Sequence, residues 1–125
     1  MITSTLVTSS SVSTPQKIFT SSTTGAVIGG AVTGQTNAIT TMVLCNTGAP
    51  DPTDESVNTV NVNIHLVKSG GSYSAANTIV SNLTIPAGET VFFSDEKIIL
   101  DSGDEVWVGT STASLVAMTI STLPV

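Results

Sequence analysis

The chain has 125 residues, of which 40% are hydrophobic and only 10% are charged, and its formal net charge is −6. This acidic balance argues against nucleic acid and against anionic membrane surfaces as partners, because both are bound through Lys and Arg. No apolar run approaches the roughly 20 residues of a membrane-spanning helix. Residues 1–16 lack the basic start and the long apolar centre of a signal peptide. The single cysteine, Cys45, excludes an internal disulfide.

Residues 1–16 are rich in Ser and Thr and contain few apolar side chains. These apolar residues are Ile2, Leu6, Val7 and Val12. Because they are too few to build a core, we predict an extended N-terminal arm over 1–16, followed by a β domain over 17–125. We expect a neighbouring subunit to hold the arm in place through the same four residues.

Short apolar runs alternate with turn signals along the rest of the chain. Residues 57–67 have the clearest period of two, which is typical of a half-buried strand. Val60, Val62, Ile64 and Leu66 fall on one face, and Asn61, Asn63 and His65 fall on the other. The other predicted strands cover 17–20, 25–35 (bent or bulged by its glycines), 38–47 (apolar on both faces), 78–85, 89–94, 97–100, 104–110 and 114–122. About eight short strands without a helical period predict an all-β fold, either an antiparallel β-sandwich or a jelly-roll-like barrel.

Two similar stretches, IPAGETVFF and LDSGDEVWV, place a glycine and then acids ahead of an apolar run. Gly88 and Gly103 suit turns between strands, and the acids keep the strand starts solvated. The acids of the chain form three groups: Asp51, Asp54 and Glu55; Asp95 and Glu96; Asp101, Asp104 and Glu105. Calcium binding by such oxygen-rich loops stays an alternative, although their spacing fits no EF-hand. We expect no cofactor and no metal site.

Few residues offer chemistry for a reaction. His65 is the only histidine, so a catalytic triad depends on that one residue, and a polar residue on an outward strand face is the simpler interpretation. Cys45 stands among apolar neighbours with no cation nearby in sequence, which favours a buried structural thiol over a nucleophile. Tyr73 and Trp107 either form a platform for a sugar ring or contribute to the core or a subunit interface. We expect no catalytic residue.

Residues 85–120 carry a family resemblance. The residues concerned are Ile85 to Glu89, Leu100, Gly103, Asp104, Val106, Val108 and Ser111 to Ile120. This pattern resembles the C-terminal half of small virion structural proteins of tailed bacteriophages, especially those of marine and cyanobacterial hosts, and a weaker likeness extends over residues 38–123. The resemblance implies a non-enzymatic role in assembly, on the capsid surface or in the neck or tail, with assembly in the host cytoplasm.

The leading hypothesis is a capsid decoration (cement) protein that bridges major capsid subunits as a dimer or trimer. The arm adds contacts to a neighbour by strand addition, and interface residues are expected at Ile2, Leu6, Val7, Val12, Tyr73 and Trp107. The alternatives are a neck, tail or baseplate component, or a glycan- or receptor-binding module that uses Tyr73 and Trp107. A hydrolase is the least supported alternative.

Overall fold

Strands dominate the computed structural model, which describes residues 1–21, 36–95 and 97–125 and the backbone of 27–28 and 31–32. The strands are β1 (Ile2–Leu6), β2 (Gln16–Thr20), β3 (Val27–Ile28), β4 (Ala31–Val32), β5 (Asn37–Asn46), β6 (Val60–Val67), β7 (Thr78–Ile85), β8 (Thr90–Phe93), β9 (Ile98–Leu100), β10 (Glu105–Thr110) and β11 (Val116–Pro124). A 3-10 turn, Ala75–Asn77, precedes β7. The all-β prediction is therefore confirmed.

Two antiparallel sheets face each other. In the first sheet the order is β1-β11-β5, with both β8 and β9 on the far side of β5; in the second it is β2-β10-β6-β7. The β3–β4 pair lies within the predicted strand 25–35, whose other residues lie outside the described residues. The architecture is a sandwich, which is one of the two architectures that the sequence predicts.

One apolar core fills the space between the sheets. Its centre is built from side chains at alternate positions of the long strands, because successive residues of a strand point to opposite faces. Fully buried members include Met42, Leu44, Val62, Ile64, Val106, Val108, Met118 and Ile120. The period of two that predicts β6 is thus the period by which Val60, Val62 and Ile64 enter the core.

The N-terminal segment belongs to the sandwich rather than standing apart from it. Residues Ile2–Leu6 pair in register with β11, so that Ile2 lies opposite Ser121 and Leu6 opposite Ala117. Val7 is fully buried in the core, and its N–H donates to the Val116 carbonyl oxygen at 2.8 Å. The expectation that this segment adds nothing to the core is wrong, because one valine at the sheet edge turns inward.

After Val7 the chain crosses from the edge of the first sheet to the edge of the second. The Thr110 hydroxyl donates to the Ser9 carbonyl oxygen at 2.7 Å, and Val12 passes over Gly109 of β10. A Cβ on Gly109 would lie 2.7 Å from the Val12 carbonyl oxygen, so only glycine permits this approach. Hydrogen bonds and close backbone contact therefore fix residues 8–15.

The other edge of the second sheet is interrupted by a bulge. The β6–β7 register shifts around Asn63, where Asn82 of β7 adopts a φ of 55°. The Asn82 N–H donates to the Asn63 side-chain oxygen at 2.6 Å instead of to a strand carbonyl. A bulge of this kind bends an edge strand and breaks its regular ladder.

Candidate functional site

Within the described residues, none of the strands of the first sheet carries a charged side chain. We call the outward side of this sheet the uncharged face. By the strand register it comprises Ile2, Ser4, Leu6, Ala38, Thr41, Val43, Cys45, Thr90, Phe92, Ile99, Ala117, Thr119, Ser121 and Leu123. The side chains of the face present only apolar atoms, hydroxyls and one thiol. The described lysines lie outside these strands, although the Lys97 ammonium donates to the Thr40 carbonyl oxygen of β5 at 3.4 Å.

Large apolar side chains on the uncharged face are open to solvent. Their exposed fractions are 71% for Ile2, 66% for Phe92, 57% for Ile99, 57% for Leu123 and 45% for Leu6. Soluble monomers rarely expose such groups together, and contiguous apolar surface of this kind marks interaction sites.

The register shows that these side chains are neighbours rather than scattered. Val43 lies opposite Phe92 on one side and Thr119 on the other. Ala38 likewise lies between Ile99 and Leu123. Directly opposed residues of antiparallel strands have Cβ atoms about 5 Å apart, so each row forms a continuous band across the sheet.

A different surface lies on the outward side of the second sheet, where three rings meet. The ring centroids of Tyr73 and Trp107 are 5.4 Å apart with an interplanar angle of 46°, and those of Tyr73 and His65 are 5.8 Å apart at 52°. Tyr73 keeps 38% of its surface exposed, whereas Trp107 is only partly exposed. The Trp107 indole N–H donates to Glu105 at 3.4 Å, and Lys17 pairs with the same carboxylate at 3.0 Å.

The turn before β7 holds His65 in one orientation. Its Nδ1 lies 3.1 Å from the Ser74 carbonyl oxygen and 3.2 Å from the Asn77 side-chain oxygen. Both atoms are acceptors, so Nδ1 carries the hydrogen of the neutral ring. Ser74 and Asn77 also form a capping box around the 3-10 turn. Hydrogen bonds therefore hold the loop 69–77 at its C-terminal end.

A groove of about 380 Å³ runs between this turn and the N-terminal segment. Val12, Ser13 and Pro15 form one wall, and Tyr73 to Ala75 form the other. Asn63 and His65 lie between the walls, and Thr78 and Ser81 complete the lining. The described residues that line the groove include no Lys, Asp or Glu.

Several acids form turns and capping contacts, and Asp51, Glu55 and Glu89 line one cavity of about 580 Å³ without gathering as metal ligands. The Thr53 backbone N–H and hydroxyl hold the pKa of Asp51 below its ordinary value, and the Ser56 hydroxyl and N–H do the same for Asp54. Asp104 accepts the N–H groups of Ser69 and Asp101, each at 3.0 Å. Among the described residues no three His, Cys, Asp or Glu side chains gather as metal ligands; Glu96 lies outside the described residues.

The interface residues expected from the sequence divide between the two surfaces. Ile2 and Leu6 lie on the uncharged face, whereas Tyr73, Trp107 and the half-buried Val12 lie on the opposite side of the sandwich. Val7 has no exposed surface, so the expectation that it contributes to an interface is wrong. Trp107 is partly covered by Tyr73 and does not offer a flat, open platform.

Sequence reasoning missed Phe92, Ile99 and Leu123, and it treated His65 as an isolated polar residue. The predicted strands 38–47 and 114–122 contain no charged residue, and 89–94 and 97–100 contain one each, at their first positions. This scarcity of charge could have revealed the uncharged face. Cys45 also differs from its prediction: it lies on this face and is partly exposed instead of buried.

Comparisons with protein-family models and with curated proteins find no match for this chain. In the ranges that the structure describes, there is no helix with the length and apolar character needed to span a membrane.

Proposed function

We propose that this chain is a non-enzymatic structural protein of a virion, a capsid decoration protein that binds assembled capsid subunits through its uncharged face. The observation that carries the proposal is the exposed, charge-free band built around Phe92, Ile99 and Leu123. The family resemblance of residues 38–123 supports the same role.

The chemistry of the uncharged face suits protein assembly. Interface centres are depleted in charge and enriched in aromatic residues, and Phe92 supplies an exposed aromatic ring beside the smaller Val43 and Thr119. The chain carries a net charge of −6, and copies that crowd together on one particle repel least where their contacts contain no charge. The same argument permits a dimer or trimer that joins through this face.

The area of the uncharged face fits a contact in which each copy binds with modest affinity. Four strand spacings of ~4.8 Å and a length of ~25 Å give roughly 500 Å². One partner in a standard stable complex contributes ~800 Å². A decoration protein does not need tight binding of a single copy if each oligomer engages several lattice sites together, because linked sites raise the effective concentration.

The arrangement of the polar groups favours binding over catalysis. Among the described residues, the recorded partners of the His65 ring are Ser74, Asn77 and Thr78, with no carboxylate to orient it as a base. A triad mechanism needs at least a nucleophile, a base, and a third group that orients the base. We therefore propose no reaction for this chain.

The test is the binding of the purified chain to particles that lack it. Phe92→Glu and Ile99→Glu place charge in the band and should abolish sedimentation with the particles. Val57→Glu is the matched control, because Val57 is an exposed apolar residue in the 54–58 turn, outside the face. Equal loss in the control, or full binding by Phe92→Glu, would contradict the use of this face.

Copy number in purified virions distinguishes the decoration role from its alternative. The copy number is measured relative to the major capsid protein, and hundreds of copies per particle would support decoration. A count of a dozen or so copies would overturn it in favour of a neck, tail or baseplate component.

A further inference from the structure

The groove on the second sheet lies on the opposite side of the sandwich from the uncharged face. If the uncharged face contacts a capsid, the groove points away from the particle. From its lining we propose that this groove binds an uncharged saccharide, with Tyr73 as the stacking ring and with Asn63 and His65 as hydrogen-bonding groups.

Tyr73 has the properties of a stacking residue. Its ring contacts the rings of Trp107 and His65 in tilted arrangements, at centroid distances of 5.4 and 5.8 Å. It nevertheless leaves 38% of its surface open and lines the groove. A ring fixed before the ligand arrives loses little entropy on binding, and the C–H face of a sugar ring is the apolar surface that an aromatic ring contacts.

His65 supplies an acceptor. Its Nδ1–H is directed at the Ser74 carbonyl oxygen, so the lone pair of Nε2 is available in the neutral ring. In the described part of the chain no hydrogen bond reaches Nε2, and this atom is not among the buried polar atoms that lack a partner. The residue as a whole is only 6% exposed, and His65 lines the groove, so we assign Nε2 as the acceptor for a sugar hydroxyl that enters there.

Asn63 supplies a donor two residues away on the same face of β6. Its side-chain oxygen is occupied by the Asn82 N–H, and its amide nitrogen makes one long bond of 3.4 Å to the Val12 carbonyl oxygen. A primary amide nitrogen carries two hydrogens, so one remains for a ligand. A donor and an acceptor in the same groove match hydroxyl groups, each of which both donates and accepts.

The lining also restricts the charge of the ligand. No lysine lies in the described lining of the groove, and the nearby Lys17 is paired with Glu105 at 3.0 Å. A phosphate, sulfate or carboxylate would lose its hydration in the groove without gaining a cation in return. At about 380 Å³ the groove lies within the ~300–1,000 Å³ range of small-molecule sites. Both properties favour a short neutral saccharide.

The experiment is a glycan array probed with the full chain, followed by titration of the best neutral oligosaccharide by NMR. Tyr73→Ala should weaken binding by roughly tenfold or more, as truncation of a central aromatic anchor does, and Tyr73→Phe should keep most of it. Phe92→Ala is the matched control, since it removes an exposed aromatic ring from the opposite face.

A second variant covers the case in which Tyr73→Ala disturbs the 69–77 loop. Ser81 is exposed and lines the groove, so Ser81→Tyr should fill the space without affecting the core, and binding should be lost while the melting temperature is kept. Three results would overturn the proposal: no neutral glycan bound at millimolar concentration, selective binding of sulfated or sialylated glycans, or binding that survives Ser81→Tyr.

Discussion

Gly109 of β10 lies directly beneath the backbone of Val12, and a methyl group on Gly109 would come within 2.7 Å of the Val12 carbonyl oxygen. This contact joins the N-terminal segment to the second sheet. It also sets the position of the groove wall formed by Val12, Ser13 and Pro15.

Replacing Gly109 with Ala should force the N-terminal segment away from β10. Because the obstructing atoms are backbone and cannot rotate aside, we expect a loss of about 1–3 kcal/mol in the free energy of unfolding, the usual cost of overpacking. Chemical denaturation measures the loss. Amide exchange should also quicken at Thr110, whose N–H donates to the Ser9 hydroxyl at 3.3 Å. Unchanged stability and unchanged exchange would show that the segment does not rest on Gly109.

Val7 and Leu6 form a matched pair of adjacent apolar residues, one fully buried and one 45% exposed. Val7→Ala should lower the free energy of unfolding by about 2 kcal/mol, because it removes two buried methyl groups. Leu6→Ala should change it by less than about 0.5 kcal/mol, as expected at the surface. Thermal and chemical denaturation measure both changes. If Val7→Ala and Leu6→Ala had equal effects on stability, the placement of Val7 in the core would be contradicted.

Deletion of residues 1–14 tests whether residues 17–125 form an autonomous domain. The structure leads us to expect a lower melting temperature, since the deletion removes β1 and Val7 together. It also uncovers the edge of β11, and exposed strand edges promote association, so gel filtration should show species larger than the full chain. A monomer with an unchanged melting temperature would instead support the separate arm predicted from the sequence.

Cys45 reports on the uncharged face because it is the only cysteine and lies between Ala117 and Thr90 in the strand register. Its partly exposed thiol should react with a maleimide in the free chain and be protected once the chain is bound to particles. Prior labelling should block binding, since the adduct stands on the contact surface. Cys45→Ser should bind normally and resist labelling. Equal reactivity in the free and bound chains would place the contact elsewhere.

The strands were predictable because their signals are local. The period of two in residues 57–67 identifies β6. The turns predicted at Gly88 and Gly103, where φ is 79° and 87°, lie between β7 and β8 and between β9 and β10. β-Branched residues favour pleated, half-buried surfaces wherever they occur. A segment could therefore be assigned as a strand without knowing which strands it pairs with.

The surfaces were less predictable because they depend on contacts between distant residues. The sequence predicts residues 38–47 as apolar on both faces, yet Val43 and Cys45 are partly exposed because none of the described elements covers that side of β5. The assembly of His65, Tyr73 and Trp107 likewise depends on sheet pairing and on the capped turn at Ser74. Strand composition alone cannot show which side of a sheet another molecule covers.

The bulge at Asn82 bears on how copies of this chain can be arranged. A regular edge strand invites another chain to continue the sheet, which leads to fibres. At β7 the left-handed residue and the diverted Asn82 N–H break the row of groups that such growth requires. We therefore expect that a further strand cannot continue the second sheet beyond β7.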